Sequence, residues 1–371
     1  MIFLVMNVIK LEKLDYIDVI RGIAILMVVI THTAQQGLVK LPHLLSVFLS
    51  LGARGVQLFF IASAFTLFRS YKKRNKIERS PVKNFFIRRF FRIAPIYYLG
   101  IIYYIFRIMY NLPYWQASQP HITIGNVISN FFYCHGLSPY WINSFVPGGW
   151  SITVEMFFYI LFPFLFKRIE NINSGFIFLN LTLLVKLVLQ EFFQYGNFIS
   201  DTYLWREFIF YYFPSQLPIF ALGIILYFLI ENPDNIKLVK NKHFAFFFVL
   251  LPLQIGSKLD FLYLNHVIFG IIFVVFALLL SKGKLNFLSK SFIKYIGKIS
   301  FSIYIIHFIV IAWLAKFHLI DFCNNGLINL LLRFMLILFF SILISTLTYR
   351  LIEIPFQNLA KRIILKTEND N

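Results

Sequence analysis

Two ionisable residues, Arg21 and His32, lie within one apolar stretch of the sequence. On an α-helix, the eleven-residue step from Arg21 to His32 comes to about three full turns and about 16 Å, so both side chains face the same way. An Arg in the middle of a membrane costs on the order of 2.5–3.5 kcal/mol, and such residues are usually functional. The pair therefore predicts a site inside a membrane. The alternative is that Arg21 snorkels at one helix end while His32 lies in the opposite interface.

A carboxylate, Glu155, lies five residues after Trp150 in another apolar stretch. A buried carboxylate must be protonated, paired or hydrogen-bonded. Glu155 and His32 are both expected toward the non-cytoplasmic side, where they can meet. A carboxylate that orients an imidazole supports general-base catalysis on a hydroxyl group. The alternative is a structural hydrogen bond between helices.

Three arginines, Arg88, Arg89 and Arg92, fall within about one helical turn at a membrane boundary. A guanidinium fork matches phosphate oxygens bidentately, so this cluster indicates a site for a phosphate-bearing ligand that enters from the cytoplasm. The neighbouring run from Lys72 to Lys76 is interpreted as a loop that holds the topology and touches anionic lipid headgroups.

A second histidine, His307, follows Ser300 and Tyr304 at steps of four and three residues. This spacing predicts one polar stripe that faces the helix bundle. Such a stripe either takes part in the site or holds helices together by hydrogen bonds. Trp150 has the same two interpretations, substrate contact or structural role. The sequence has no cluster of His, Cys and carboxylates with metal-ligand spacing, so no metal site is predicted.

Composition indicates the class of protein that holds these residues. With 59% hydrophobic residues, 14% charged residues and a mean hydropathy of +0.74, the 371-residue chain is expected to cross a membrane many times. The apolar runs are continuous rather than alternating, which predicts an all-α transmembrane bundle and not a barrel. The ten predicted spans lie near 19–37, 55–69, 93–109, 152–166, 175–193, 207–230, 244–256, 261–280, 299–317 and 327–349.

The net charge of +19 does not indicate a nucleic-acid partner, because the basic residues mark the topology instead. Most of the 35 Lys and Arg fall on one side of the predicted spans, which predicts that both termini are cytoplasmic. This orientation places a few basic residues outside: Lys40, Arg54, Arg107, Arg206, Lys258 and Lys316. The chain is expected to form one membrane domain over residues 1–371, with an uncleaved start and no appended soluble domain.

The two cysteines, Cys134 and Cys323, both fall in connections that this orientation places outside the cytoplasm. A disulfide can form in that compartment. Two unrelated thiols are the alternative.

The motifs together resemble the acyltransferase-3 family, polytopic membrane O-acyltransferases that modify bacterial envelope glycans. The resemblance covers about residues 15–356, and no single motif is specific, but six occur in the family's order. They are Leu14 to Ala24 followed by His32, Gly55 to Phe65, Arg88 to Tyr97, Trp150 to Pro163, Ile299 to His307, and Glu353 to Pro355. The chain departs from the family at Ala64, where glycine is common, and this departure bears on close helix packing there.

The resemblance implies transfer of an acyl group, most often acetyl, from a cytoplasmic acyl-CoA to a sugar hydroxyl. It implies that His32 is the catalytic residue, Arg21 its partner, and Arg88 and Arg92 residues that handle the donor. Acetyl-CoA is then a co-substrate, with no tightly bound cofactor. The expected acceptor is an envelope polysaccharide or its lipid-linked repeat unit, such as O-antigen, and the expected location is the bacterial inner membrane, in contact with lipids.

Two other classes of membrane protein remain as alternatives. A transporter or flippase of lipid-linked sugars also needs many spans, but such proteins tend to show paired halves, and this chain shows no internal repeat. A glycan polymerase usually carries Arg and His on a large external loop, whereas the main external loop here, about 107–151, has only Arg107 at its edge.

Overall fold

A computed structural model describes residues 14–114, 123–143, 145–196, 198–232 and 262–370. This part of the chain contains helices and turns and no strands, which confirms the all-α prediction. The helices are α1 (Asp15–Ala34), α2 (His43–Ser50), α3 (Gly55–Arg74), α4 (Pro81–Met109), α5 (Ile124–Phe131), α6 (Gly149–Arg168), α7 (Ile172–Tyr195), α8 (Thr202–Tyr211), α9 (Phe213–Glu231), α10 (Leu262–Ser281), α11 (Ser291–Lys298), α12 (Ser300–Lys316), α13 (Gly326–Thr348) and α14 (Ile354–Asp370).

Seven helical stretches in the described part are long and apolar enough to cross a membrane. An eighth is formed if α11 and α12, which meet at an 80° bend, count as one span. A shorter apolar helix covers His266–Ser281. The predicted number of about ten is therefore approximate, and the predicted span 244–256 lies outside the described residues.

Helices α1, α3 and α9 form the centre of the bundle, and α3 packs on both of the others. The contact between α3 and α9 is close at Gly223, where a Cβ atom would lie 2.6 Å from the carbonyl oxygen of Ile61 and 2.8 Å from the Cβ of Ala64. Ala64, the departure from the family pattern, is therefore accommodated because the facing residue is a glycine. Close packing at this position is retained.

Helix α1 carries Arg21 and His32 and contacts α3, α11, α12 and α13. Its apolar residues Val19, Ile20 and Ala24 are fully buried, so the helix is surrounded along most of its length. Arg21 and His32 are themselves partly buried at this position in the bundle.

The last predicted span, 327–349, does not end the helical structure. It continues through a π-helical turn, Tyr349–Glu353, into α14. Pro355 lacks the N–H that would bond one turn back, which favours such a wide turn. Helix α14 packs along α4, and near its end the Glu368 carboxylate accepts hydrogen bonds from the backbone N–H groups of Arg79 and Ser80 and from Asn84.

Candidate active site

A cavity lies between α1, α3, α4, α6 and α12, with an empty volume of about 650 Å³ that includes its open mouth. Its walls combine aromatic and aliphatic side chains with a smaller number of polar groups. The lining residues are Arg21, Val56, Phe59, Phe60, Ser63, Arg89, Arg92, Ile93, Ser151, Ile152, Glu155, Tyr159, Ser300, Phe301 and Tyr304. An apolar cavity with a few convergent polar groups is the usual form of a small-molecule site.

Three arginines give the cavity a cationic region. Arg21 donates a hydrogen bond to Thr66 (Nη2–Oγ1, 3.4 Å). The Arg89 guanidinium lies 5.8 Å from the ring centroid of Tyr159, and its buried Nε has no hydrogen-bond partner among the described residues. Arg92 also lines the cavity. Arg21, which belongs to helix α1, thus joins Arg89 and Arg92 of the predicted arginine cluster on α4.

Arg88 does not line the cavity. Its two terminal nitrogens donate to the carboxylate of Glu78 at 2.7 and 2.9 Å, a bidentate ion pair. The structure therefore separates Arg88 from Arg89 and Arg92, although all three fall within about one turn of the same helix.

Glu155 lies in the cavity beside hydroxyl groups. Its Oε1 accepts hydrogen bonds from Ser63 (2.7 Å) and Tyr159 (2.5 Å). His32 lies elsewhere, against Gln35 and His307. The structure does not bring Glu155 and His32 together, so the predicted carboxylate–imidazole contact is absent from the described part of the chain.

Tyr304 and Ser151 form the polar centre of the cavity wall. Ser151 donates to the Tyr304 hydroxyl (2.9 Å), which in turn donates to the carbonyl oxygen of Gly148 (3.1 Å). Gly148 adopts φ +75°, and a Cβ atom there would lie 2.7 Å from the Tyr304 oxygen. Only glycine both adopts this left-handed backbone conformation without strain and leaves room for the Tyr304 hydroxyl. Ser300, the first residue of α12, lines the same cavity.

The two histidines lie next to each other, with ring centroids 5.5 Å apart. Their hydrogen bonds to oxygen acceptors indicate the tautomers. His307 Nδ1 donates to the Ile303 carbonyl oxygen (2.9 Å), and His32 Nδ1 donates to Gln35 Oε1 (3.1 Å). Each ring therefore presents Nε2 as a proton acceptor, and the buried Nε2 of His307 has no hydrogen-bond partner among the described residues.

His32 is not among the residues that line the cavity, but a short chain of rings links it to the cavity wall. The Tyr304 ring centroid lies 6.1 Å from that of His307, which is the neighbour of His32. Arg21 and His32 lie about 16 Å apart along α1. The arginines and the histidine pair therefore mark two ends of one polar region in the bundle.

Trp150 is buried outside the cavity lining. Its ring packs against Tyr211, with centroids 4.5 Å apart, and meets Phe60 edge-on at 6.1 Å. These contacts fit the structural interpretation of Trp150.

Sequence reasoning did not assign several residues that the structure brings to the site. Ser63, Ser151 and Tyr159 lie inside the quoted motifs, and a hydroxyl group in an apolar helix is a signal that could have identified them. Gln35 carries no such signal, because its role depends only on its proximity to His32.

His135 supports the start of α6 from the preceding connection. Its Nε2 donates to the Gly149 carbonyl oxygen (3.0 Å), and burial lowers the pKa of the imidazole to about 4. The ring is therefore neutral at physiological pH, and its Nε2–H donates beside the turn that holds Tyr304.

Among the described residues there is no group of His, Cys, Asp or Glu that could hold a metal ion. Cys134 and Cys323 are both free and exposed, so they do not form the disulfide considered from the sequence.

Comparison with known proteins identifies the family. A family model for the acyltransferase-3 group, described as an acyltransferase domain, matches residues 14–350. A protein of Acidianus two-tailed virus, named "Putative acetyltransferase ORF330", is 30% identical over 268 residues, which cover 70% of this chain and 73% of that protein. "Putative O-acetyltransferase SACOL0978" of Staphylococcus aureus strain COL is 25% identical over 379 residues, 94% of this chain and 58% of the relative.

The chain therefore spans less than two thirds of the length of the staphylococcal relatives. No solved structure matches the chain significantly. Since the family model covers most of the sequence, from the first described helix to the end of the last predicted span, this chain belongs to the acyltransferase-3 family.

Proposed function

We propose that this protein is a membrane-bound O-acyltransferase, most specifically an O-acetyltransferase, which moves an acyl group from acyl-CoA to a hydroxyl of an envelope glycan or its lipid-linked repeat unit. One observation carries the proposal: a cavity lined by Arg21, Arg89 and Arg92 has Tyr304 in its wall, and the Tyr304 ring lies 6.1 Å from His307, the neighbour of His32. Family membership and the names of the relatives support acyl transfer.

The cationic region suits the phosphates of the donor. Three guanidinium groups face a single carboxylate, Glu155, in the cavity, so a polyanion gains favourable electrostatic interactions there. The long pantetheine arm of CoA would extend from this region along α1 and bring the thioester toward the histidines. Glu155 is assigned to hold Ser63 and Tyr159 in place rather than to orient His32.

His32 is assigned as the general base. Because Gln35 accepts the hydrogen bond from Nδ1–H, Nε2 carries no proton and can take the proton of the acceptor hydroxyl. The acceptor oxygen then attacks the thioester carbonyl carbon, and the new C–O bond forms as the oxyanion develops. The Tyr304 hydroxyl is the donor assigned to this oxyanion, and it would turn from the Gly148 carbonyl oxygen to do so. When the C–S bond breaks, the thiolate of CoA leaves and receives the proton from His32.

The same scheme orients the protein in the membrane. The bias of the basic residues supports both termini in the cytoplasm. The donor would then enter from the cytoplasmic side of the bacterial inner membrane, and His32 would meet an acceptor presented on the other side.

The test uses the purified full chain in proteoliposomes with radiolabelled acetyl-CoA and an extracted envelope glycan fraction. We expect His32→Ala to lower transfer by roughly 10²–10⁴-fold, because the proton acceptor is lost. The matched control is His43→Ala, which replaces an exposed histidine at the start of α2 and should leave the rate unchanged. Equal rates in the wild type and His32→Ala would contradict the assignment.

A cellular measurement distinguishes the other classes of protein. The acetyl content and the amount of envelope polysaccharide are compared in cells that lack the gene and carry either the wild type or His32→Ala. Loss of acetyl groups with an unchanged amount of polymer supports acyl transfer. A change in polymer amount or length without a change in acylation would support a transporter or a polymerase instead.

A further inference from the structure

Arg107, near the end of α4 opposite to Arg92, is a buried cation to which the described part of the chain supplies no polar partner. Its side chain is 1% exposed, and none of its three guanidinium nitrogens has a hydrogen-bond partner among the described residues. The described part of the chain also gives it no ion pair with a carboxylate. A buried charge in this condition is costly, and each such group in a folded protein calls for an explanation.

Aromatic rings compensate for the charge only in part. The guanidinium carbon lies 4.2 Å from the ring centroid of Tyr114, and Tyr103 and Tyr104 are close enough to interact electrostatically. A cation over a ring face is stabilised by the π electrons. However, the five N–H groups of an arginine point along the plane of the guanidinium, where a ring face offers no acceptor. These donors remain available to oxygen atoms of a ligand.

The position of Arg107 relates it to the acceptor side of the proposed reaction. Tyr103, one turn before Arg107, accepts a hydrogen bond from Trp313 of α12 (3.0 Å). Trp313 follows His307 by six residues, which is about 9 Å along the helix. Arg107 therefore lies beyond the histidine pair, on the side away from Arg92, which is fifteen residues or about 22 Å back along α4.

We propose that Arg107, with the tyrosines around it, binds an oxyanion, namely the carboxylate or phosphate group of a charged acceptor. The planar fork of arginine matches both groups bidentately, and tyrosine rings supply flat walls for a sugar. This inference rests on the proposed function for the identity of the ligand as acceptor, whereas the oxyanion site itself can be measured without any transfer reaction.

The experiment measures thermal unfolding of the purified full chain in detergent at constant ionic strength. The probes are sodium glucuronate, glucose, and sn-glycerol 1-phosphate, which represents a lipid headgroup. A ligand that binds only the folded state raises the unfolding temperature in a saturable way. We expect at least one of the two anions to raise it and glucose to leave it unchanged.

Variants identify the residue responsible. Arg107→Gln should raise the dissociation constant of the anion roughly tenfold to a hundredfold, because charge-assisted hydrogen bonds are lost. Arg107→Lys keeps the charge without the fork and should give an intermediate value. The matched control is Lys316→Gln, which removes an exposed cation that lies 5.2 Å from the Trp313 ring centroid in the same region. It should bind the anion as the wild type does.

Each result has a defined meaning. A response to glucuronate alone supports an acidic sugar as the source of the oxyanion, and a response to glycerol phosphate alone supports a phosphate group of a lipid or lipid carrier. No response to either anion in the wild type, or an equal response in Arg107→Gln, would overturn the site. If Arg107→Gln does not fold, the wild type and Arg107→Lys still decide the question. Failure of the proposed function would appear in the His32→Ala transfer assay and not here.

Discussion

Neighbouring arginines on α4 have different surroundings because different groups lie opposite each of them. Successive helix positions differ by 100°, which places Arg92 between the directions of Arg88 and Arg89. Spacing alone therefore does not predict whether the Arg92 side chain lies with that of Arg88 or with that of Arg89. The carboxylate of Glu78 binds Arg88, and the cavity is left with Arg89 and Arg92.

This separation predicts different effects for two matched substitutions. Arg92→Gln should raise the KM for acetyl-CoA roughly tenfold or more, because it removes a cation from the cavity that is proposed to hold the phosphates. Arg88→Gln should leave that KM nearly unchanged and lower the unfolding temperature, because it breaks the ion pair with Glu78. Steady-state kinetics and thermal unfolding of both variants check this, and equal changes in KM would contradict it.

His135 gives a pH dependence with a definite sign. Burial lowers its pKa to about 4 in the folded state, below the unperturbed value of 6.5. Between these values the unfolded chain binds more protons than the folded chain. The contribution of His135 to the free energy of unfolding is therefore fully present above pH 6.5 and decreases as the pH falls from about 6.5 toward 4.

We expect the unfolding temperature to fall over that pH range by less in His135→Gln than in the wild type. The Gln amide can still donate to Gly149 but does not titrate. Replacement of the exposed His43 by Gln should leave the wild-type slope unchanged. Thermal unfolding at a series of pH values measures the effect, and identical slopes in the wild type and His135→Gln would exclude His135 as the cause.

At the level of elements, α14 stabilises the helix that carries the cavity arginines. The backbone N–H groups of Arg79 and Ser80, the two residues just before α4, donate to a carboxylate from the far end of the chain, Glu368. The same carboxylate accepts a bond from Asn84, which also donates to Glu78, the partner of Arg88. Helix α14 is thereby tied to the region where the donor would enter.

Loss of this connection should be measurable. We expect Glu368→Gln to reduce the free energy of unfolding by on the order of 1–3 kcal/mol, because buried charge-assisted hydrogen bonds are weakened. The control is Glu170→Gln, which removes an exposed carboxylate after α6 and should have little effect. Thermal unfolding in detergent gives the comparison, and equal stability of the two variants would show that Glu368 does not stabilise the start of α4.

At the level of the whole molecule, the native cysteines report the orientation of the bundle. Cys134 and Cys323 are free and exposed, and the basic-residue bias predicts that both face away from the cytoplasm. A membrane-impermeant maleimide should therefore label the wild type in intact spheroplasts.

Two variants complete this test. A chain with both cysteines replaced by Ser should not be labelled. Introduction of Lys284→Cys into that background places an exposed thiol between α10 and α11, and it should be labelled only after the membrane is permeabilised. Labelling of the native cysteines only after permeabilisation would indicate the opposite orientation.

The amino-acid sequence by itself determined the class of the protein and its candidate chemistry. Continuous apolar runs predict a helical membrane bundle because hydropathy and backbone hydrogen bonding are local properties. The ionisable residues in those runs, Arg21, His32 and Glu155 among them, are recognisable because charge in a membrane is costly. The ordered motifs indicated the family that the comparison confirms.

Only the tertiary structure decided which of these residues meet. Glu155 contacts Ser63 and Tyr159 instead of His32, and His32 lies beside His307, a residue far away in the chain. These pairings depend on the depth and rotation of whole helices, which are set by packing between distant segments such as the close contact of Ala64 with Gly223. Residue spacing within one helix carries no information about that packing. The sequence therefore predicts which residues belong to the site but not which of them are in contact.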